Sequence, residues 1–228
     1  MKAKEIIARA REDNRSLLEP EAYAVLAEYG IPVLDHRLAA SPEEASKLAA
    51  EVGFPAAMKV VSPDVIHKSD SGGVKLGIDS PAAAAAAFAA INQSVSRAVP
   101  NARIEGVLIV PMATGGVEVI AGMVRDPQFG PAVMFGLGGI FVEILKDVAF
   151  EIAPVSAEEA GRLVKSIKGW PLLAGARGSK PCDLDSLCSV ITGLSRLALE
   201  LPEVEEIDLN PVLAGPDKAL ALDARILL

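Results

Sequence analysis

One stretch, residues 58–78 (MKVVSPDVIHKSDSGGVKLGI), constrains the fold of this chain more than any other. It begins as a strand, breaks into a polar loop at a Ser-Pro pair, and returns to a strand after Gly72 and Gly73. Paired glycines let backbone N–H groups approach an anion, because no Cβ stands in the way. Lys59 lies inside the apolar first strand, and a lysine is rarely buried without a partner. The stretch therefore predicts a strand–loop–strand unit that can hold a phosphate.

The loop in this unit is rich in groups that bind or carry phosphate. It contains His67, one of only two histidines in the chain, followed directly by Lys68. A histidine nitrogen is nucleophilic near neutral pH, and a lysine adds positive charge for a phosphate. For each residue taken alone, a hairpin with a solvated loop is the simpler explanation, since loops are normally polar. The combination with Lys59 and the two glycines favours a phosphate site.

This combination resembles the ATP-grasp domain of the NDP-forming acyl-CoA synthetases. The motif is HKSDSGGVKLGI preceded by MKVVSP, and the likeness extends from about Leu17 to the C-terminus. In particular, the chain is similar to the short, separate β subunit of ADP-forming acetyl-CoA synthetase, a relative of succinyl-CoA synthetase. The resemblance implies an α+β fold of the ATP-grasp type, in which two α+β lobes hold the nucleotide between them.

The order of the predicted elements agrees with two α+β lobes. Helices beginning at Ser41 and Ser80, each a capping serine followed by proline, interleave with strand pairs. Hairpins outnumber clean βαβ units, which favours an α+β fold over a doubly wound sheet. We expect an N-terminal lobe over residues 1–110, with the phosphate and histidine loop at 62–73, and a C-terminal lobe over residues 111–228, with a final hairpin at 204–226. Short strands are expected at 31–34, 141–145 and 148–152, and a hinge at 111–116.

The final hairpin contains a second set of polar residues. Glu206, Asp208 and Asn210 are two residues apart, so in a strand they share one face. Asp223 comes from the returning strand, between apolar residues, where an unpaired carboxylate is costly to bury. Hard oxygen ligands from two adjacent strands suit Mg²⁺, which keeps substrate phosphates among its ligands. A solvated acidic face explains the same pattern, and the hairpin register stays open.

The resemblance implies roles for individual residues. Asn210 and Asp223 match the family's Mg²⁺ ligands, with Asp208 as a weaker third candidate. His67 matches the histidine that becomes phosphorylated in these short β subunits. The remaining positions that we expect to contact the nucleotide are Lys59, Lys68, Gly72 and Gly73 at the phosphates, Val110, Pro111 and Met112 at the adenine, and Glu118 at the ribose. Taken alone, Glu118 is an ordinary outward-facing strand residue.

The resemblance also implies a reaction and a partner. Acyl-CoA and phosphate would give acyl phosphate and CoA in a CoA-binding α subunit, where a second histidine takes the phosphoryl group. The group would then pass to His67 and on to Mg-ADP, giving ATP, with ATP/ADP and Mg²⁺ as the bound cofactors. The chain has neither a dinucleotide fingerprint nor a second motif histidine, so it is expected to be a half-enzyme that needs the α subunit. The resemblance, rather than any feature of the sequence, implies an α2β2 assembly.

Composition limits the other classes of partner. The formal net charge of −8 argues against a nucleic-acid-binding surface, which favours a basic domain. No window of the sequence approaches the roughly 20 apolar residues of a membrane helix, and the charged N-terminus does not resemble a signal peptide. We therefore expect a cytoplasmic protein that binds neither nucleic acid nor membrane.

Two other functions remain open at the level of the sequence. Another ATP-grasp enzyme, such as a carboxylate–amine ligase, would share the fold but would not need His67. A non-catalytic nucleotide-sensing module would bind Mg-nucleotide without forming a phosphohistidine. The sequence does not identify the acyl group, and it does not decide between ADP and GDP.

Overall fold

The computed structural model describes residues 2–65, 67–139 and 147–228, and for Arg177 the backbone alone. The first half of the chain contains α1 (Lys2–Glu12), α2 (Glu19–Glu28), β1 (Arg37–Ala39), α3 (Pro42–Val52), β2 (Ala56–Val61), β3 (Val74–Ile78), α4 (Pro81–Ala98) and β4 (Gly106–Pro111). The second half contains β5 (Val117–Asp126), β6 (Gly130–Leu137), β7 (Val148–Ile152), α5 (Ala157–Ser166), α6 (Trp170–Leu173), a 3-10 turn (Ala176–Gly178), α7 (Leu184–Glu200), β8 (Glu206–Ala214), β9 (Ala219–Ala221) and β10 (Arg225–Leu227).

Two compact units make up the chain. The loop unit is Leu34–Ala113, and the hairpin unit combines Met1–Val33 with Thr114–Leu228. The chain passes from one to the other close to the expected boundary at residue 111. The expected N-terminal lobe over residues 1–110 is wrong in one respect, because the first 33 residues belong to the hairpin unit.

Backbone hydrogen bonds explain this correction. Leu17 N donates to Ile226 O at 3.2 Å, and Ala221 N donates to Pro32 O at 2.9 Å. The segment that follows α2 is thereby tied to β9 rather than to the sheet of the loop unit. The strand expected at 31–34 is reduced to an isolated parallel bridge between Val33 and Ala221.

The loop unit is a four-stranded antiparallel sheet in the order β1-β4-β2-β3, with two helices packed on one face. The helices begin as the sequence predicts, since Ser41 Oγ accepts from Glu44 N and Ser80 Oγ accepts from Ala83 N. Alternate residues of the strands are buried against these helices. The core includes Ala56, Met58 and Val60 of β2, Val107 and Ile109 of β4, and Phe88, Ile91 and Val95 of α4.

The hairpin unit contains a sheet in the order β10-β8-β5-β6-β7, with β9 also paired to β8. Its long helix α7 buries the apolar face that its sequence predicts, including Leu187, Ile191, Leu194 and Ala198. The expected strand at 148–152 is β7, whereas the one expected at 141–145 lies outside the described residues. Among the described helices none is long and apolar enough to span a membrane.

Candidate functional site

Lys59 lies in the middle of β2 and is 9% exposed. Its strand neighbours Met58 and Val60 face the helices of the loop unit, so Lys59 points to the opposite face of the sheet. In the ladder it is paired with Val74 of β3 and Leu108 of β4. The lysine therefore sits on a rigid central strand, directly beside the end of the histidine loop.

Backbone hydrogen bonds close the histidine loop into a turn. Ser71 N donates to His67 O at 3.4 Å, and Gly73 N donates to Lys68 O at 2.7 Å. The hydroxyl of Ser71, which is buried, donates to Lys68 O at 2.9 Å. The loop joins the sheet where Val60 N donates to Gly73 O at 2.7 Å. The side chain of His67 is exposed on this turn, and that of Lys68 is half-buried.

Both glycines are required by close approach. At Gly72, which has a φ of +68°, a Cβ would lie 2.9 Å from Ser94 Cβ. At Gly73 a Cβ would lie 2.6 Å from Val60 Cγ1 and 2.9 Å from Lys68 O. A larger residue at Gly73 would push the turn away from β2, and one at Gly72 would push it away from α4. Gly73 thus sets the distance between the histidine turn and the strand that holds Lys59, and Gly72 sets its distance from the helix.

An ion pair that the sequence analysis did not anticipate holds the start of this loop. Asp64 Oδ2 accepts from Arg103 N at 2.8 Å and from Arg103 Nε at 3.1 Å, and Asp64 Oδ1 accepts from Arg103 Nη2 at 3.0 Å. These bonds lower the pKa of Asp64 to about 2, with the side-chain contact as the largest cause. The two residues are far apart in sequence, so only the fold brings them together.

The three residues expected at the adenine lie at the end of β4. Val110 and Pro111 pair with Ala57 and Ala56, and Val110 is buried. Met112 N donates to Pro55 O at 3.0 Å, and Met112 Sδ lies 3.1 Å from Gly77 N. All three belong to the loop unit, together with Lys59 and the histidine loop.

In the hairpin unit, the register answers the question that the sequence left open. β8 pairs with β9 at Val212–Ala221 and with β10 at Asp208–Arg225. The register is the same on both sides of the gap between β9 and β10. It therefore places Asn210 opposite Asp223, and Leu222 N donates to Pro211 O at 2.9 Å within that gap.

The surroundings of Asp208 raise the pKa of its carboxyl group. Burial raises the pKa of Asp208, Glu206 and Asp223 raise it further, and Arg225 on the neighbouring strand acts in the opposite direction. Asn210 is exposed, whereas Asp208 and Asp223 are half-buried. A divalent cation beside these carboxylates would relieve their mutual repulsion.

The donor set fits Mg²⁺ rather than a soft metal. Within the part of the chain that the structure describes, no group of three or more His, Cys, Asp or Glu side chains is arranged to hold an ion. Asn210 and Asp223 offer hard oxygen atoms from adjacent strands. Mg²⁺ is bound in proteins by one or two carboxylates together with substrate phosphates, so this sparse set suits a metal that arrives with a nucleotide.

Glu118 lies at the start of β5, opposite Leu213, and its side chain is exposed. Gly138 N donates to Glu118 O at 2.8 Å, and a Cβ at Gly139 would lie 3.5 Å from Glu118 Oε2. Gly138 and Gly139 therefore lie directly beside Glu118, and a side chain at Gly139 would touch its carboxylate. Glu118 shares the hairpin unit with Asp208, Asn210 and Asp223.

The predicted site residues thus form two groups, one in each unit. Sequence reasoning missed two arginines: Arg103, which pairs with Asp64 at the start of the histidine loop, and Arg225, which stands opposite the predicted site residue Asp208. The position of Arg225 opposite Asp208 could have been predicted from a hairpin register that pairs Asn210 with Asp223, because Arg225 stands two residues after Asp223. No local sequence pattern indicates a role for Arg103, because its partner Asp64 is 39 residues away in sequence.

The chain matches known proteins along nearly its whole length. The model of a family described as ATP-grasp domain matches residues 8–228. The β subunit of the ADP-forming acetate–CoA ligase I of Pyrococcus furiosus is 53% identical over 227 residues, covering 100% of this chain and 98% of that protein.

Solved structures agree with this match. Acetyl-coenzyme A synthetase 1 of Ca. Korarchaeum cryptofilum, in complex with coenzyme A, Ca-AMPCP and HgCl⁺, superposes with a TM-score of 0.96 at 46% identity, covering 99% of both chains. A second structure of that enzyme contains coenzyme A and Mg-AMPPCP, with a phosphohistidine segment pointing towards the nucleotide-binding site. It has a TM-score of 0.87 at 41% identity, again covering 99% of both chains.

The α+β ATP-grasp fold and the family resemblance predicted from the sequence are confirmed by these matches. Neither an unrelated carboxylate ligase nor a sensing module is favoured by any of them. The chain belongs to the ATP-grasp family, in the group formed by the β subunits of the ADP-forming acetate–CoA ligases.

Proposed function

We propose that this chain is the nucleotide-binding β subunit of an ADP-forming acyl-CoA ligase, and that His67 carries the phosphoryl group to ADP. The reaction converts acyl-CoA, ADP and phosphate into carboxylic acid, CoA and ATP. The observation that supports the relay best is the position of His67, exposed on a turn that is closed by its own backbone and joined to the strand of Lys59.

The histidine turn has the properties of a carrier. Its backbone bonds join residues at most five positions apart, so the turn can stay intact while its attachment to the sheet changes. A loop that moves between two sites must keep its reactive group exposed at both of them. The closed turn between His67 and Gly73 supports this role, with the two glycines as the hinge.

Lys59 is the proposed phosphate contact on the rigid side of the site. A buried ammonium on a central strand is held at a fixed place, and fixed positive charge stabilises a phosphoryl group in transfer. Lys68, on the turn itself, would accompany the phosphoryl group. Lys59 would thus bind the phosphoryl group where it is received, and Lys68 would bind it on the moving turn.

Asn210 and Asp223 would hold Mg²⁺, with Asp208 as a further carboxylate nearby. When bound, Mg²⁺ supplies charge neutralisation for the phosphates of the nucleotide. Glu118 is the proposed ribose contact, and the backbone of Val110, Pro111 and Met112 is the proposed adenine contact. The Mg-AMPPCP bound by the Korarchaeum enzyme supports a nucleotide and Mg²⁺ as the ligands of this family.

The transfer step can be written so that its atoms balance. The N–P bond of phosphorylated His67 breaks, and a bond forms between that phosphorus and a terminal phosphate oxygen of ADP. His67 keeps the electron pair of the broken bond and becomes neutral imidazole after any proton exchange with solvent. The reverse step phosphorylates His67 from ATP, so the reaction can be followed in either direction.

The relative that matches over its full length is named as a subunit, so this chain has a partner subunit. We propose that the partner binds CoA, carries a second phosphorylated histidine and forms an α2β2 assembly with this chain in the cytoplasm. The phosphohistidine segment seen in the Korarchaeum enzyme supports a mobile carrier between the partner and the nucleotide.

Phosphoryl labelling tests the proposal directly. The purified chain, alone and with its partner subunit, is incubated with Mg-ATP labelled at the γ-phosphate. We expect base-stable, acid-labile label on His67, located by mass spectrometry, and no label in His67→Ala.

The other histidine of the chain provides the matched control. His36 also lies in the loop unit, where its Nδ1 is 3.0 Å from Leu34 O, and His36→Ala should label like the wild type. Absence of label with the partner present, while Mg-ATP is still bound, would contradict the relay. That outcome would favour a ligase without phosphohistidine or a sensing module.

A further inference from the structure

Tyr23 is completely buried in α2, yet its hydroxyl points to the backbone of the C-terminal hairpin. Its Oη lies 2.8 Å from Leu222 O and 2.8 Å from Glu19 Oε1. Glu19 stands one turn earlier on the same helix and is 4% exposed. Burying two polar side chains is costly unless they are hydrogen-bonded, and a phenylalanine would fill the same space. This pair therefore calls for an explanation beyond packing.

Leu222 is the point at which the contacts of α2 and of the hairpin meet. Its N–H donates to Pro211 O, and its carbonyl shares the single hydroxyl proton of Tyr23 with Glu19 Oε1. Leu222 directly precedes Asp223, and Pro211 directly follows Asn210. The contacts from α2 thus reach Leu222 and Pro211, the sequence neighbours of the proposed Mg²⁺ ligands Asp223 and Asn210.

The contact from Tyr23 matters because it reaches the hairpin at the gap between β9 and β10. Asp223 and its neighbours are in neither short strand, so the regular ladder that sets the register is interrupted at this position. Tyr23 supplies a contact from outside the sheet at this position. Burial first, and the carboxylates of Glu19 and Asp223 next, raise the pKa of Tyr23, so the hydroxyl keeps its proton and remains a donor.

We infer that Tyr23, oriented by Glu19, is a positioning residue for the Mg²⁺ site, because its hydroxyl fixes the Leu222 peptide group and with it the spacing of Asn210 and Asp223. Neither residue touches the metal. Groups behind the direct ligands typically change metal affinity by roughly 10–100-fold when they are removed. The inference rests on the proposed function, since it concerns the Mg²⁺ site named there.

The test measures metal binding separately from activity. Mn²⁺, as a probe for Mg²⁺, is titrated against the complex of both subunits with ADP, and free Mn²⁺ is measured by electron paramagnetic resonance. We expect Tyr23→Phe to raise the Kd for Mn²⁺ about tenfold. In turnover assays, the KM for Mg²⁺ should rise to a similar extent, with kcat at saturating Mg²⁺ retained.

The other tyrosine of the chain is the matched control. Tyr29 is also buried and its hydroxyl lies 3.2 Å from Glu200 Oε2, away from the hairpin, so Tyr29→Phe should leave the Kd for Mn²⁺ unchanged. A second variant, Glu19→Ala, removes the group that orients the hydroxyl and should raise the Kd by a smaller factor. It also keeps the test decisive if Tyr23→Phe does not fold.

Asp223→Asn distinguishes a wrong positioning role for Tyr23 from a wrongly assigned Mg²⁺ site. If Asp223→Asn weakens Mn²⁺ binding while folded Tyr23→Phe or Glu19→Ala binds like the wild type, the positioning role is wrong and the metal site stands. If Asp223→Asn itself binds like the wild type, the metal site is misplaced and the inference falls with it. A Tyr23→Phe variant that lowers kcat alone would also overturn the positioning role.

Discussion

The histidine loop and the C-terminal hairpin are held by contacts of different range. The turn from His67 to Gly73 is closed by bonds between near neighbours, and the start of the loop is held by the half-exposed Asp64–Arg103 pair. The positions proposed to bind Mg²⁺ in the hairpin are set by the register on both sides and contacted by a buried helix far away in sequence. A turn with local bonds can move as a body, whereas a site built from distant elements moves only if the core does.

This contrast matches the chemistry proposed for each region. A histidine that collects a phosphoryl group from another subunit has to move between two sites. A metal that organises a nucleotide needs ligands that keep a fixed position. We therefore expect changes at the exposed carrier residue His67 to alter transfer with little effect on stability. Changes in the hairpin should alter metal affinity. Changes in its supporting helix should alter both metal affinity and stability.

The largest effect is expected at the carrier itself. His67→Ala removes the one group of this chain that is proposed to form a covalent intermediate, so turnover of the complex should fall by roughly 10³-fold or more. Binding of Mg-ADP, measured by calorimetry, should stay within about twofold, since the exposed side chain supports no core packing. A variant that loses ADP binding to the same degree as turnover would show that His67 is not a carrier alone.

The next effect is expected at the hairpin. Asp223→Ala should raise the KM for Mg²⁺ by roughly 10–100-fold or more, because removing a direct ligand should lower metal affinity at least as much as removing a group behind it. The KM for Mg²⁺ at fixed ADP measures this change. Asp217→Ala, at an exposed acid in the turn of the same hairpin, is the control and should behave as the wild type. Equal effects of the two substitutions would mean that Asp223 acts through net charge only.

A smaller effect is expected where the loop meets the sheet. Gly73→Ala would place a Cβ 2.6 Å from Val60 Cγ1, so the free energy of unfolding should fall by about 1–3 kcal/mol, as for other overpacked sites. Thermal or denaturant unfolding measures the loss. Gly161→Ala is a control, because the added Cβ meets only Cys188 Sγ at 3.8 Å. If Gly73→Ala keeps wild-type stability but slows phosphoryl transfer, the contact governs the motion of the loop rather than its folding.

The smallest effect is expected from the ion pair at the start of the loop. The pKa of Asp64 in the folded protein, about 2, lies below its ordinary value of 3.8. The pair therefore stabilises the folded state above about pH 4, and this contribution is lost as the pH falls through about 2. The melting temperatures of wild type and Asp64→Asn should differ slightly at pH 7 and converge towards pH 2. Because the pair is half-exposed, added salt should reduce the difference. A difference that grows on acidification would contradict this assignment.

The sequence indicated most of the local chemistry of both regions. Lys59 in an apolar strand and the Gly72-Gly73 pair after His67 were sufficient to predict a strand–loop–strand phosphate unit, since each depends on neighbours a few residues away. The capping serines Ser41 and Ser80 marked helix starts for the same reason. The alternation of Asp208 and Asn210 predicted a common face without any knowledge of the partner strand.

Contacts between distant segments could not be predicted in this way. The placement of residues 1–33 in the hairpin unit depends on bonds such as Leu17 N to Ile226 O, for which no local pattern exists. The Asp64–Arg103 pair and the contact of Tyr23 with Leu222 are of the same kind.

The sequence by itself thus determined which groups are present and which local shapes present them: a glycine turn beside a buried lysine, and hard oxygen ligands in a terminal hairpin. Only the tertiary structure decided that Asn210 stands opposite Asp223 and that a helix from the start of the chain supports them. The physical reason is that propensity and periodicity act over a few residues. Register and burial are settled when segments far apart in sequence compete for the same core.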